Sequence, residues 1–337
     1  MDLDEWRSRI DDIDSQILDL LNQRAEAALG IGELKRRKGA AYFVPEREFE
    51  ILARLQRLSR GPFPAEGIPA VWREIFSASL ALEHPLSVAY LGPPATFTHQ
   101  AAELRFGSLA RFVPSRSIGE VFDLVERRQA DFGVVPVENS TEGAVNLTLD
   151  RLVDSELSIV GEVRLEIAHH LLSRATDPTT LKTVYSHPQA LAQCRQWLTT
   201  NLGDIPAVEV SSTAAAAERA RDDPWVAAIA SEMAARLYDL PVLRARIEDN
   251  PYNSTRFLVV GRQAMGPSGK DKTSILFSMK NEPGSLYRIL EPFAVRGLNL
   301  TKIESRPAKR RPWEYVIFVD FDGHRDTPLV EEVLAEV

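Results

Sequence analysis

The chain has 337 residues, 44% hydrophobic and 26% charged. That is ordinary globular composition, and the length allows two or three domains. Net charge is −8, which argues against broad nucleic-acid binding. One cysteine, Cys194, fits a reducing, cytoplasmic compartment. No apolar run is long enough to cross a membrane, and the acidic start MDLDEW is unlike a secretory leader.

Residues 3–38 read as one long helix. Leu3, Trp6, Ile10, Ile13, Ile17 and Leu20 alternate in spacings of three and four, and Ala27, Ile31 and Leu34 continue the series. Such a helix is too long for a small domain to cover, so a partner helix from a second subunit is expected. Gly39 ends it. Pro45 opens a second helix over about 45–60, and a third runs over about 68–83. Charges then fall where apolar residues belong. Arg24 occupies the next position of the stripe, and Lys35, eleven residues on, faces the same way within about 20°. Ser79 and Glu83 do the same on the third helix, and Arg47 and Glu48 open the second. Polar groups at apolar positions on all three helices suggest a shared polar pocket. Residues 1–23 carry seven acids and two bases, net −5, while 24–60 carry nine bases and five acids, net +4. A basic zone in an acidic chain suits a small anion better than a polyanion.

This spacing resembles the all-helical chorismate mutase domain, over residues 1–85. The resemblance implies an intertwined dimer in which Arg24 and the partner's copy of Arg7 clamp carboxylates. Lys35 and Glu83 would hold the ether oxygen of chorismate. Glu48 and the backbone at Val44 would hold its hydroxyl, and Arg47 and Ser79 would complete the pocket. Val44 departs from an aspartate found in some members. A glutamic acid at 83 donates only when protonated, so the rearrangement is expected to slow as pH rises.

From Ser87 the texture becomes α/β. SVAYL (87–91), FGVVPV (132–137), LSIVG (157–161), TVYS (183–186), AVEV (207–210), VAAIA (226–230) and RFLVVG (256–261) read as strands between helices. A largely parallel sheet, in one domain or two lobes around a cleft, is expected. No metal-ligand spacing occurs among the six histidines. Polar clusters follow the strands: GPPATFT (92–98), PVENST (136–141), YSHP (185–188) and NSTRF (253–257). Singly, each reads as a turn or helix cap, with Thr96, Ser140 and Ser186 as cap candidates. Together they stand where open α/β sheets bind ligands.

Across 87–262 these clusters resemble prephenate dehydratase, a cofactor-free and metal-free enzyme with two lobes like those of periplasmic binding proteins. The resemblance implies that Thr255 acts on the leaving hydroxyl of prephenate. Thr96, Thr98, Glu138, Asn139, Ser140, Ser186, His187, Arg256 and Phe257 would line the cleft, with Arg256 either a ligand or a structural group. Ala95 replaces a family glycine and puts a Cβ where positive φ or close approach is expected.

Residues 263–272 read as a linker. The order that follows is strand (273–279), helix (284–295), strand (299–305), strand (314–321) and helix (327–337), a ferredoxin-like module one strand short. PGSLY (283–287) and KIESRP (302–307) resemble the ACT regulatory domain. The resemblance implies L-phenylalanine binding between paired modules near Gly284, Ser285, Leu286, Glu304, Ser305 and Arg306. The whole resembles the bifunctional chorismate mutase–prephenate dehydratase family, as a homodimer or as dimers paired into a tetramer. Competing readings are a chain with one decayed site and a non-catalytic ligand sensor with a helical arm.

Overall fold

The computed structural model describes residues 1–203, 205–279, 282–307 and 315–337. They form two compact units: Met1–Tyr42 with Pro69–Gln263, and Phe43–Ile68 with Ala264–Val337. No described helix is long and apolar enough to cross a membrane.

Helix α1 spans Leu3–Lys38, as the periodicity predicts. Asp2 accepts from the Glu5 amide and Glu5 accepts from the Asp2 amide, a reciprocal cap. Acids in the first turn and four bases in the last complement the helix dipole, and Gly39 at φ +62° closes it. Within this single chain only Ala28 and Gly32 of α1 are buried. Helix α2 is Pro45–Leu58 and α3 is Gly67–Glu83.

The first unit then builds two sheets. Strand β1 (Ser87–Leu91) leads to α4 (Phe97–Phe106), β2 (Arg111–Ser115), α5 (Ile118–Glu126), β3 (Phe132–Asn139) and the two-residue β4 (Gly143–Ala144). Next come α6 (Asn146–Asp154) and β5 (Ser158–Glu166). The chain crosses to the second sheet with β6 (His170–Leu172), β7 (Thr183–Ser186), α7 (Pro188–Gln193), α8 (Arg195–Asn201) and β8 (Ala207–Glu209). It continues through α9 (Thr213–Ala220), β9 (Val226–Ala230), α10 (Glu232–Leu237) and β10 (Val242–Arg244), then returns as β11 (Ser254–Gly261).

The sheets are ordered β2-β1-β3-β11-β5, with β4 on β3, and β10-β6-β9-β7-β8. Both are mixed, which corrects the expectation of a largely parallel sheet. The returning β11 runs antiparallel to β3 and β5, and β6 runs antiparallel to β9 and β10. A buried run such as Phe257–Val260 reads the same in either direction, so composition could not give its sense. Sequence reading also missed β2, which contains Pro114; as an edge strand it tolerates a proline. The chain crosses between the sheets at 167–169 and again at 245–253. Those crossings put the ends of β3 and β11 at the junction of the two lobes.

In the second unit, β12 (Lys272–Ser278), α11 (Ser285–Val295), β13 (Leu300–Pro307), β14 (Tyr315–Asp322) and α12 (Pro328–Glu336) follow the expected order. Glu314, the first residue of the expected third strand, lies outside the described residues. The sheet order is β12-β14-β13, antiparallel throughout. Phe293, Val319, Phe321, Val330 and Val333 form its core. The linker is tied down rather than loose. Asp271 accepts from the amides of Ser268 and Gly269, and Glu46 of α2 accepts from the Gly266 amide.

Candidate active sites

On α1 and α3 the misplaced charges pair. The Arg24 guanidinium donates to the Ser79 hydroxyl and stands 5.5 Å from the Phe76 ring centroid. Ser79 donates its O–H to the Ile75 carbonyl at 2.8 Å, which leaves its lone pairs for Arg24. Lys35 Nζ lies 3.0 Å from Glu83 Oε2 and donates to the Tyr42 carbonyl at 2.8 Å. The Tyr42 ring stacks on His84, centroids 4.8 Å apart. Gly32 lets α3 come close: a Cβ there would lie 3.1 Å from Glu83 Cγ. Burial lowers the Arg24 pKa, and the Glu83 charge opposes that shift. Four of the predicted residues thus form two adjoining polar pairs.

Arg7 is exposed and pairs with Asp4 at 3.3 Å. It lies seventeen residues from Arg24, about 25 Å along the helix, so it cannot share Arg24's pocket within one chain. Val44, Arg47 and Glu48 belong to the second unit. The Val44 carbonyl accepts from the Arg47 and Glu48 amides as α2 begins, and Arg47 pairs with Glu50 at 2.8 Å.

At the lobe junction, β3 and β11 pair so that Asn139 stands opposite Thr255 and Glu138 opposite Arg256. Asn139 Nδ2 donates to Thr255 Oγ1 at 2.8 Å and to Asn253 Oδ1 at 2.9 Å. Its Oδ1 accepts from the Thr141 and Glu142 amides, which fixes the orientation of the amide. The Thr255 oxygen therefore accepts a hydrogen bond, and its own O–H stays available to donate. Ser140 and Ser254 are joined by two hydrogen bonds, at 2.8 and 2.9 Å.

Arg256 donates to Glu162 at 2.7 Å and lies 3.6 Å from Glu138. That pairing favours its structural reading. Phe257 is buried in the sheet core. Thr96 caps α4, accepting from the His99 amide and donating to the Leu91 carbonyl. Thr98 is buried. Ser186 is fully buried and donates to the Ile229 carbonyl, while His187 rather than Ser186 caps α7. Ala95 takes φ +67°, the conformation expected for the glycine it replaces.

Three junction residues escaped sequence reading. Gln193 Oε1 accepts from Asn253 Nδ2 at 3.0 Å and lies 2.8 Å from His169 Nε2. Asn253 stood inside the NSTRF cluster, but Gln193 and His169 carry no local signal. Their roles arise only where two crossing segments meet.

In the second unit, Gly284 at φ +81° opens α11. Arg288 donates to the Ser285 hydroxyl at 3.2 Å and to the Pro283 carbonyl at 3.3 Å. Ser285 is buried and Leu286 half-exposed. Glu304, Ser305 and Arg306 lie on β13 opposite Phe318, Ile317 and Val316.

Comparison with known proteins gives three family matches in chain order. Chorismate mutase type II matches residues 6–84, prephenate dehydratase residues 88–265 and the ACT domain residues 273–337. A bifunctional chorismate mutase/prephenate dehydratase of Aquifex aeolicus is 50% identical over 340 residues, covering 100% of this chain and 94% of that one. One from Pseudomonas aeruginosa is 47% identical, covering 98% and 92%. Prephenate dehydratase of Arthrobacter aurescens, solved in complex with L-Phe, superposes with a TM-score of 0.69 at 35% identity, covering 74% of this chain and 85% of that one. The chain belongs to the bifunctional chorismate mutase/prephenate dehydratase family.

Proposed function

We infer that the chain converts chorismate to prephenate and then prephenate to phenylpyruvate, carbon dioxide and water, with L-phenylalanine as feedback effector. The modules are residues 1–85, 87–262 and 273–337, joined by 263–272.

The first step is pericyclic: a C–O bond breaks as a C–C bond forms, and no proton moves. Arg24 and the partner's copy of Arg7 hold the two carboxylates. Lys35 turns an N–H from Glu83 to the ether oxygen, where negative charge develops. Glu83 donates to that oxygen when protonated. Ser79 completes the pocket on α3; Val44, Arg47 and Glu48, at the start of α2, are further candidate contacts for the substrate hydroxyl. The exposed stripe Trp6, Ile10, Ile13 and Ile17 on α1 supports a dimer built on that helix. The oligomer is this homodimer or two such dimers paired.

In the second step Thr255 gives its proton to the departing C4 hydroxyl, which leaves as water. The ring carboxylate leaves as carbon dioxide, and the electrons of its C–C bond complete the aromatic ring. Solvent returns the proton to Thr255. The single observation that carries this reading is the Asn139 N–H on Thr255 Oγ1, since a hydroxyl that accepts a hydrogen bond becomes a better donor. Glu138, Ser140, Ser186, His187, Thr96, Thr98, Arg256 and Phe257 shape the cleft around it.

In the ACT module, Gly284, Ser285 and Leu286 with Glu304, Ser305 and Arg306 receive L-phenylalanine, which the L-Phe complex of the Arthrobacter relative supports. A cytoplasmic location fits the unpaired, buried Cys194. The test is a paired assay that follows chorismate loss and phenylpyruvate gain separately, with and without L-phenylalanine. Both conversions should proceed and the second should fall with the amino acid. Absence of either conversion contradicts the reading.

A further inference from the structure

We propose that His169 is a positioning residue for the dehydration, acting through Gln193 and Asn253 to hold the Asn139 amide, whose sense the Thr141 and Glu142 amides set, in place against Thr255. The proposal rests on the dehydratase reading above and names a residue that does not touch the reacting hydroxyl.

The hydrogen bonds have a single consistent direction. Gln193 Nε2 lies 3.4 Å from Glu142 Oε1, and a carboxylate can only accept, so that end of the amide is the N–H end. Gln193 Oε1 therefore faces His169 and Asn253. It takes an N–H from Asn253 Nδ2 and another from His169 Nε2. Asn253 Oδ1, fixed by the same amide, accepts from Asn139 Nδ2, which also donates to Thr255 Oγ1. A rotation of Gln193 by half a turn would set its NH2 against two donors. Asn253 would turn in response, and its NH2 would meet that of Asn139. His169 is the group that closes this chain at its buried end.

The ring is held as a positioning group must be. His169 is 2% exposed. Its backbone amide donates to Glu248 Oε2 at 2.9 Å, and its carbonyl accepts from the Ile247 amide at 2.8 Å. Phe97 of α4 stands edge-on to the imidazole, centroids 5.4 Å apart, so the ring also touches the other lobe. Its Nδ1 is buried without a hydrogen-bond partner among the described residues. A proton there would be an unshared buried charge, so the neutral Nε2–H tautomer is the one the site accommodates. The titratable neighbours are Glu248 and His170. Burial lowers the His169 pKa against the pull of Gln193 and Glu248, which favours the neutral ring.

The test compares the full chain with His169→Leu and His169→Gln. Glutamine can place an N–H where Nε2 stands; leucine cannot. His169→Leu should lower the dehydratase kcat about 10²-fold with little change in KM, because a displaced proton donor slows chemistry more than binding. His169→Gln should restore most of that rate. Chorismate mutase activity of both variants reports that the chain has folded. An unchanged kcat in His169→Leu overturns the proposal, as does equal damage in both variants. Nitrogen NMR of the imidazole, recorded without substrate, should find Nε2 protonated and Nδ1 bare at neutral pH. The opposite tautomer overturns the proposal whatever the rates. Lack of dehydration by the unsubstituted chain would count against the underlying reading alone, and the tautomer would still decide His169.

Discussion

Ala95 holds a left-handed backbone at φ +67° and gives its amide N–H to Nδ1 of His99, 3.1 Å away. The same residue's carbonyl accepts from Ser231 of the second lobe at 3.1 Å. One strained residue thus joins the polar turn after β1 to both lobes. Ala95→Gly relieves about 1 kcal/mol of steric strain but removes a fully buried methyl worth about 0.8 kcal/mol and adds unfolded-state entropy. Its stability in urea should therefore stay within about 1 kcal/mol of the parent. Ala95→Val meets a disallowed backbone and a packed surround, and should cost about 2 kcal/mol or more.

His99 must be neutral to accept that N–H. Burial lowers its pKa, and burial does the same to His169 and His170. A base whose folded pKa lies below its unfolded value binds fewer protons when folded. Its contribution to stability is complete above the unfolded value near 6.5 and is lost as pH falls below it toward the folded value. Denaturation midpoints should hold from pH 8 to about 6.5 and decline below that. His99→Gln should flatten part of the decline. A midpoint that rises as pH falls below 6.5 contradicts this.

Lys35 and Glu83 form a pair at 3.0 Å, with side chains 22% and 10% exposed. Lys35→Ala leaves the Glu83 carboxylate and the Tyr42 carbonyl short of a donor. The cost should be about 1–2 kcal/mol, less than for a fully dry pair. Mutase turnover should drop about 10²–10³-fold, the usual effect of losing one donor aimed at a developing charge. Glu83→Gln keeps an N–H donor for the ether oxygen and should retain mutase turnover, whereas Glu83→Ala should lose it about 10²-fold. A Glu83→Ala enzyme that turns over at the parent rate removes the role given to Glu83.

Ile10, Ile13 and Ile17 of α1 are each about half exposed in the single chain. Ile13→Asp together with Ile17→Asp should yield monomers by light scattering. The monomer should lose mutase activity about 10²-fold, because Arg7 then has no pocket to reach, and should keep dehydration. A monomeric, fully active mutase contradicts the shared site.

The sequence was most readable where structure is local. The stripe from Leu3 to Leu34 and the stop at Gly39 define α1 almost residue for residue. Arg24, Lys35, Ser79 and Glu83 stood out because each breaks an apolar stripe, and such breaks survive folding. Strand direction was unreadable, since Val259 and Val260 pack equally well in either sense. Gln193 was unreadable for another reason. Its importance comes from Asn253 and His169, sixty residues downstream and twenty-four upstream, and nothing in PQALAQ marks it.

The central claim is that Thr255, polarised by Asn139, is the proton donor of the second reaction and takes no part in the first. The most direct measurement is the rate of each conversion in Thr255→Ala, followed separately as chorismate loss and phenylpyruvate gain. The expected result is phenylpyruvate formation reduced about 10³-fold or more, with chorismate consumed at the parent rate and prephenate accumulating. Phenylpyruvate formed at the parent rate would contradict it.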